Sequence, residues 1–414
     1  MVEPLSRPRR KNPVLATRMP TLPPGGRSRA ALGLTAAAAE GRFALQVCAD
    51  CAAVQYPPRE ACQRCLSVTL RWRTQDGAGT LLATTTLHHS NDLFFRERLP
   101  WRLGMVRLDA GPTVVAHLHG DVAGAPARVA VGARLDRAGQ AGLVALPAKA
   151  TPNRSDDPQL REMTCAPKFR QVLVTDAKTA VGQAVVRALV GAGADIVWAG
   201  HAEPWKKLPG FDGLAALAQV TPVPLDLTDS RSVVELAGEI GGKVDIVVNT
   251  AEYHRATGIG QRVGVETARS EMDVNYFGLL RLAQAFGPAL RARAADGPTG
   301  ACAWVNLLSI FALANFPAHG TFSASKAAAL SRGPCRRAAM RPGGGRGGNL
   351  FPGPIDDEWN QLLPPPKLVP DALAKAIVKA LKDGVEDVYP GDVAQEWLER
   401  WRDNPKALER EVAG

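Results

Sequence analysis

Two Cys-x-x-Cys pairs, Cys48-Ala49-Asp50-Cys51 and Cys62-Gln63-Arg64-Cys65, stand ten residues apart in this chain. That spacing lets two knuckles converge on one tetrahedral metal, and thiolate ligands select zinc or iron. A site closed by four thiolates leaves no position open for water or substrate, so a metal there holds the fold together and does no chemistry. Structural zinc on Cys48, Cys51, Cys62 and Cys65 is the expectation; four reduced or disulfide-paired cysteines without metal are the alternative. The remaining cysteines, Cys165, Cys302 and Cys335, are scattered. This usage suits a reducing, cytoplasmic compartment with a single metal site.

A chain of 414 residues exceeds the usual size of one domain, and no apolar run approaches the ~20 residues that cross a bilayer. The net charge of +10 is unevenly placed: residues 1–30 hold seven Lys or Arg against Glu3 alone. This Pro- and Arg-rich segment cannot bury enough surface to offset its ordering entropy and reads as a disordered basic tail over 1–30.

Residues 31–148 come next, with an Ala-rich helical stretch from Ala31 to Arg42 and a strand from Phe43 to Val47. After the cysteines, short β-rich runs at Gly79–His88, Leu103–Leu108, Thr113–His119 and Arg128–Leu135 predict a small all-β barrel. The polar, proline-studded residues 149–167 show no hydrophobic period and read as a linker. From 168 to 414, buried strands alternate with helices: strands at Gln171–Thr175, Ile196–Ala199 and Val244–Asn249, helices at Val181–Gly191 and Val233–Ile240. That pattern is an α/β doubly wound parallel sheet of Rossmann type. Ala372–Leu381 and Val393–Trp401 read as amphipathic helices.

The ribbon and barrel resemble a known family. Phe43-Ala44-Leu45-Gln46-Val47-Cys48, Gln55-Tyr56-Pro57-Pro58-Arg59, the second cysteine pair and Gly77-Ala78-Gly79-Thr80 look like the acyl-CoA-associated zinc-ribbon/OB-fold proteins over residues 35–148. The resemblance implies a non-catalytic module that accompanies a thiolase-fold enzyme, or an acyl-CoA hydratase or aldolase, and helps to carry acyl-CoA. Ribbons and OB barrels also bind single-stranded nucleic acid through aromatics flanked by basic residues. Phe94, Phe95 and Trp101 with Arg96, Arg98 and Arg102 could do this, or could pack on a partner or grip a CoA phosphate. Aromatics are otherwise sparse here, and nucleic acid is the lesser reading.

The carboxyl-terminal half resembles the short-chain dehydrogenases/reductases over residues 169 to about 395. The resemblance rests on Val172-Leu173-Val174-Thr175 with the turn to Gly182, Asp226-Leu227-Thr228-Asp229, Asn249-Thr250-Ala251-Glu252, Asp273-Val274-Asn275, Ser309, Phe322-Ser323-Ala324-Ser325-Lys326 and Pro352-Gly353. It implies cofactor contacts from Thr175, Gly182, Asp226, Asn249 and Lys326, and a catalytic set of Asn275, Ser309, a tyrosine and Lys326. In that set the phenol moves the proton, lysine lowers its pKa and holds the ribose, and serine polarises the substrate oxygen. Phe322 stands in the tyrosine slot and has no hydroxyl to give or take a proton.

Other departures point the same way. Asp176 and Ala180 replace glycines where the backbone meets a pyrophosphate, and Glu252 replaces another beside the cofactor; repulsion and crowding disfavour NAD(P). His201, at the end of the second strand, is the one candidate contact there for a 2′-phosphate. Asn275, Ser309 and Lys326 can equally be structural remnants. Two features fit the pattern poorly: Gly333-Pro334 falls inside the helix expected after Lys326, and Gly343–Gly348 replaces most of a buried strand.

The sequence therefore predicts an accessory or scaffold subunit of acyl-CoA metabolism, with acyl-CoA and a thiolase-like enzyme as partners. Its dehydrogenase-like domain is inactive alone and serves as a homo-oligomerisation surface. An NAD(P)-dependent oxidoreductase of β-hydroxyacyl- or β-ketoacyl-CoA is the second reading, single-stranded nucleic-acid binding the third.

Overall fold

The structure, a computed structural model, describes residues 1–7, 20–203, 205, 210–261, 263–295, 300 and 303–413. Two compact units divide the chain near Pro167.

The first unit begins its sheet structure with a three-stranded ribbon: β1 (Ala44–Cys48), β2 (Val54–Gln55) and β3 (Leu70–Thr74), with β1 in the middle. Then come β4 (Ala78–Leu87), β5 (Trp101–Leu108), β6 (Thr113–Leu118), β7 (Ala127–Leu135) and β8 (Ala141–Pro147), closed as a barrel in the order β4-β5-β6-β8-β7. Alternation drives the closure: along β6 the buried Val114, Ala116 and Leu118 alternate with less buried neighbours. Leu81, Val106, Leu118 and Ala145 meet inside, and Leu34 of the helix Leu32–Ala39 joins their core. Closure removes the open edges that a five-stranded sheet would otherwise expose.

Two expectations change here. All but the last residue of the segment 149–167 is a packed part of this unit, which ends at Ala166 before the second begins at Pro167. Asp157 caps the helical turn Pro158–Arg161 through Leu160 N at 2.8 Å, and its other oxygen accepts from Gly120 N at 2.9 Å. Gln159 brackets the backbone of Arg102 at 2.9 and 3.0 Å, and Leu160 and Met163 bury against Phe94, Trp101, Val144 and Leu146. Side chains bonding to a neighbouring backbone order this segment, and such bonds leave no hydrophobic period to read. The basic tail is likewise not free where it is described. Val2 N donates to Asp121, Thr21 donates to Glu97 at 2.7 Å, and Arg27 lies 3.8 Å from Asp136. Residues 8–19 lie outside the described residues, as does Cys302.

The second unit holds seven strands: β9 (Gln171–Val174), β10 (Ile196–His201), β11 (Val220–Pro224), β12 (Ile246–Asn249), β13 (Ala303–Leu307), β14 (Arg346–Leu350) and β15 (Asp387–Val388). They order as β11-β10-β9-β12-β13-β14-β15, every pairing parallel, with the order reversing at β9. In such a sheet the crevice beyond the carboxyl ends at the switch point is where a ligand sits.

Both poorly fitting features resolve locally. The helix carrying Lys326 spans Gly320–Ser331 and stops; a second helix, Gly333–Met340, starts with Pro334 in its first turn, where a missing N–H costs nothing. The glycine run still forms β14, paired along β13. A Cβ at Gly347 would lie 2.8 Å from Arg337 Cγ and 3.2 Å from the Arg336 guanidinium. Arg336 is buried and donates to Trp304 O at 2.8 Å and Gly348 O at 3.2 Å, so the missing side chains make room for a cation that ties the strands. Both expected carboxyl-terminal helices are present as Pro370–Asp383 and Asp392–Asp403, followed by a third, Pro405–Ala413.

Candidate functional sites

The four cysteine sulfurs lie within 4.8 Å of one another. Each pair folds the same way: Ala52 N bonds to Cys48 O and Leu66 N to Cys62 O, both at 3.0 Å. The residue after each second cysteine, Ala52 or Leu66, takes a left-handed backbone (φ 57° and 64°) that turns the knuckle. Backbone N–H groups of Cys65 and Arg64 aim at the Cys62 sulfur and hold its thiol at about 6, near its thiolate form at neutral pH. The loop between the knuckles is tied by buried amides: Gln46 Oε1 accepts from Arg59 N at 2.9 Å, and Gln55 Oε1 from Gln63 N at 3.0 Å. Donor type, number and convergence fit a tetrahedral, closed zinc site.

The aromatic and basic cluster on the barrel turns inward. Phe94 and Trp101 are buried, Trp101 Nε1 donates to His117 at 2.9 Å, and Phe95 packs edge-on against Trp101. Arg98 lies over Phe94 and pairs with buried Glu162 at 3.0 Å, while Arg102 donates to the carbonyls of His119, Gly120 and Val122. The aromatic rings, Arg98 and Arg102 are engaged within the unit, while Arg96 is exposed.

In the second unit, a cavity of about 1070 Å³ opens beyond the carboxyl ends of β9, β10, β11 and β12. Thr175 Oγ1 donates to Asn249 Oδ1 at 2.8 Å and accepts from Thr250 N and Ala251 N, which fixes the floor. Thr179 caps the helix Ala180–Gly191 through Gly182 N at 3.1 Å. A Cβ at Gly182 would stand 1.9 Å from Asp176 O, so only glycine lets the helix sit this close. Asp176 and Ala180 both line the cavity, Ala180 exposed, and the Asp176 carboxylate folds back onto Lys178 N at 3.1 Å. Burial raises the Asp176 carboxyl to about 6. The Lys178 ammonium donates to Glu203 O. Asp226 lines the cavity while accepting from Thr228 N and Oγ1 at 2.8 and 2.7 Å. Among the other expected contacts, His201 is buried against Phe211 and does not line the cavity. In extent and position the cavity fits a dinucleotide laid across the switch point.

Neither the expected catalytic residues Asn275, Ser309 and Lys326 nor Phe322 belongs to the lining of this cavity. Asn275 sits in a π-helical turn, Asp273–Gly278, a local widening frequent at functional sites. Its amide brackets the backbone of Tyr253, accepting from N at 3.0 Å and donating to O at 2.8 Å, and also donates to Ser325 Oγ at 2.9 Å. Ser309 caps the turn Ile310–Ala312 by accepting from Phe311 N at 3.2 Å. Phe322 is 2% exposed and packs among Ile310, Phe311 and Leu398.

Two residues near Phe322, His254 and His319, were not singled out in the sequence, and neither was the partner of Glu252. His254 stacks on Phe322 with ring centroids 3.8 Å apart, and its Nε2 is hydrogen-bonded to His319 Nδ1. Burial holds both imidazoles neutral, His254 down to about 2 and His319 to about 4. Glu252 pairs with Lys326 Nζ at 2.6 Å. The one available signal was His319, three residues before Phe322 and so near it at the helix start.

Comparison with known proteins agrees with this geometry. Residues 35–71 match the ChsH2 rubredoxin-like zinc ribbon domain, 72–140 the ChsH2 C-terminal OB-fold domain, and 170–358 the short chain dehydrogenase family. The chain is 33% identical over 180 residues to human dehydrogenase/reductase SDR family member 7C, covering 41% of this chain and 55% of that protein. It thus spans about half the length of that relative. It is 30% identical over 204 residues to 1-deoxy-11-beta-hydroxypentalenate dehydrogenase of Streptomyces exfoliatus, covering 48% of this chain and 72% of that protein. A short chain dehydrogenase from Burkholderia cenocepacia J2315, solved in complex with NADP, superimposes with a TM-score of 0.54 at 33% identity, covering 60% of this chain and 98% of its own. That complex weighs against treating NAD(P) as foreign to such a cleft. Among the described residues no helix is long and apolar enough to cross a membrane. The chain belongs to the short-chain dehydrogenase family through its carboxyl-terminal domain, which follows a zinc ribbon and OB-fold of the ChsH2 type.

Proposed function

We propose that this protein is an accessory subunit of acyl-CoA metabolism. Its ribbon and barrel engage a thiolase-fold enzyme, or a hydratase or aldolase acting on acyl-CoA, and the dehydrogenase-fold domain contributes a homo-oligomerising surface without transferring hydride by itself. The observation that carries the reading is Phe322, a buried ring with no proton to move, in the place of the general acid. Losing such a group costs roughly 100- to 10,000-fold in rate. The nearest ring, His254, is held neutral far below physiological pH by burial and does not replace the phenol as an acid.

The second reading, an NAD(P)-dependent oxidoreductase of β-hydroxyacyl- or β-ketoacyl-CoA, is favoured by the open cavity of about 1070 Å³. A nicotinamide cofactor, when bound, supplies or accepts the hydride. The chain would contribute Thr175 and Asp226 along that cofactor, with Asn249 fixing Thr175 and Gly182 bonded to Thr179 behind the wall. Nothing favours nucleic acid, since the barrel aromatics are internally engaged. Purification of the full chain from its native source, followed by mass spectrometry, tests the proposal. A stoichiometric acyl-CoA enzyme is expected; a chain that elutes alone and turns over β-ketoacyl-CoA would decide for the oxidoreductase.

A further inference from the structure

Lys326 is 2% exposed, and its ammonium donates to Glu252 Oε2 at 2.6 Å and Leu307 O at 3.1 Å, with the Phe322 ring centre 5.3 Å away. Glu252 forms part of the cavity wall and Lys326 does not, so the carboxylate stands between the cavity and the ammonium. The second oxygen of Glu252 lies 3.7 Å from His254 Nδ1. His254 offers it no charge: burial first, then His319, Lys326 and Arg255, keep the imidazole neutral. A buried ammonium without a counter-charge is costly, so the pair sustains itself once formed. The same wall carries Asp176, Glu203, Asp226 and Glu358 as well as Lys178, Arg187 and Arg255, so the lining is of mixed charge, and the Glu252 carboxylate adds to its acidic part while hiding a further cation beneath it.

We infer that Glu252 is an internal latch on Lys326. The carboxylate occupies the ammonium that hydroxyl or phosphate groups of a ligand have to reach, and thereby sets the affinity of this cavity for dinucleotides. The latch holds whether or not an acyl-CoA enzyme is the partner, and it separates two losses: Phe322 removes the proton donor, Glu252 restrains binding.

Titration of the full-length protein with NADPH and NADH, read calorimetrically, tests the latch in the native chain and in Glu252→Gly, Glu252→Gln and Glu358→Gln. Dissociation constants about tenfold lower are expected for Glu252→Gly, the scale of one charge-assisted hydrogen bond, with a smaller gain for the isosteric Glu252→Gln. Glu358→Gln removes one charge from the same wall without uncovering Lys326 and should gain less than either. Equal affinities across the four proteins overturn the latch. Glu252 variants that fail to fold by circular dichroism make the pair structural and overturn it too. Hydride transfer is measured separately, so failure of the accessory-subunit reading leaves its own mark.

Discussion

The cysteine cluster and the dehydrogenase-like centre are both gathered by the fold from separate elements, and they differ in what each member contributes. Every sulfur among Cys48, Cys51, Cys62 and Cys65 is placed to serve as a ligand, and the cluster has no task apart from closing around a metal. At the other centre Asn275 and Ser309 brace backbone and Phe322 fills a core; each has a structural task independent of any chemistry. A ring that loses its hydroxyl still buries its carbon atoms, and a buried apolar ring keeps the helix in place. Metal sites therefore report function through completeness. Catalytic sites built on packing can keep their shape after a reactive atom is gone.

That contrast can be broken by experiment. The largest effect should follow removal of the metal by chelation or by Cys48→Ala. Structural zinc contributes about 10–16 kcal/mol in small zinc peptides, and the ribbon has only short strands beside it. The ribbon should lose its dispersed NMR signals while the closed barrel keeps its own; a ribbon that stays folded without metal removes the asymmetry. Next, Phe322→Ala should destabilise the dehydrogenase-fold domain by about 3–5 kcal/mol in denaturant unfolding, as for other buried aromatic truncations.

A smaller effect, of opposite sign, should come from Asp176→Asn. Burial raises this carboxyl to about 6, above its unfolded value, so the folded state is favoured when the group is protonated and loses that advantage as pH rises through 6. The variant should gain about 1–3 kcal/mol at pH 7 and nothing below pH 4, measured by unfolding at both values. The smallest change should be Phe322→Tyr, which restores the hydroxyl without releasing Lys326 from Glu252. Coupled NADPH oxidation with a β-ketoacyl-CoA should stay at background, and turnover in this single variant would show that the centre lacked one atom only.

Much of this was open to reading. The convergence of the cysteines and the strands that lead to Thr175 and Asn249 follow from motifs whose residues are adjacent or fixed in order. Segment 149–167 was missed because its order comes from Asp157 and Gln159 bonding to distant backbone, which leaves no periodic trace. Gly347 misled because the space it leaves is filled by Arg336, a residue from another element. Glu252 was visible as an intrusion, yet its partner was not: whether a carboxylate faces a phosphate site or a buried ammonium depends on a rotamer, and no spacing encodes that.

Incubation of the purified full-length chain, free of other proteins, with deuterated NADPH and a β-ketoacyl-CoA measures the central claim most directly. The account predicts no deuterium in the product above the uncatalysed level. Stereospecific transfer of the label at enzymatic rates would contradict it.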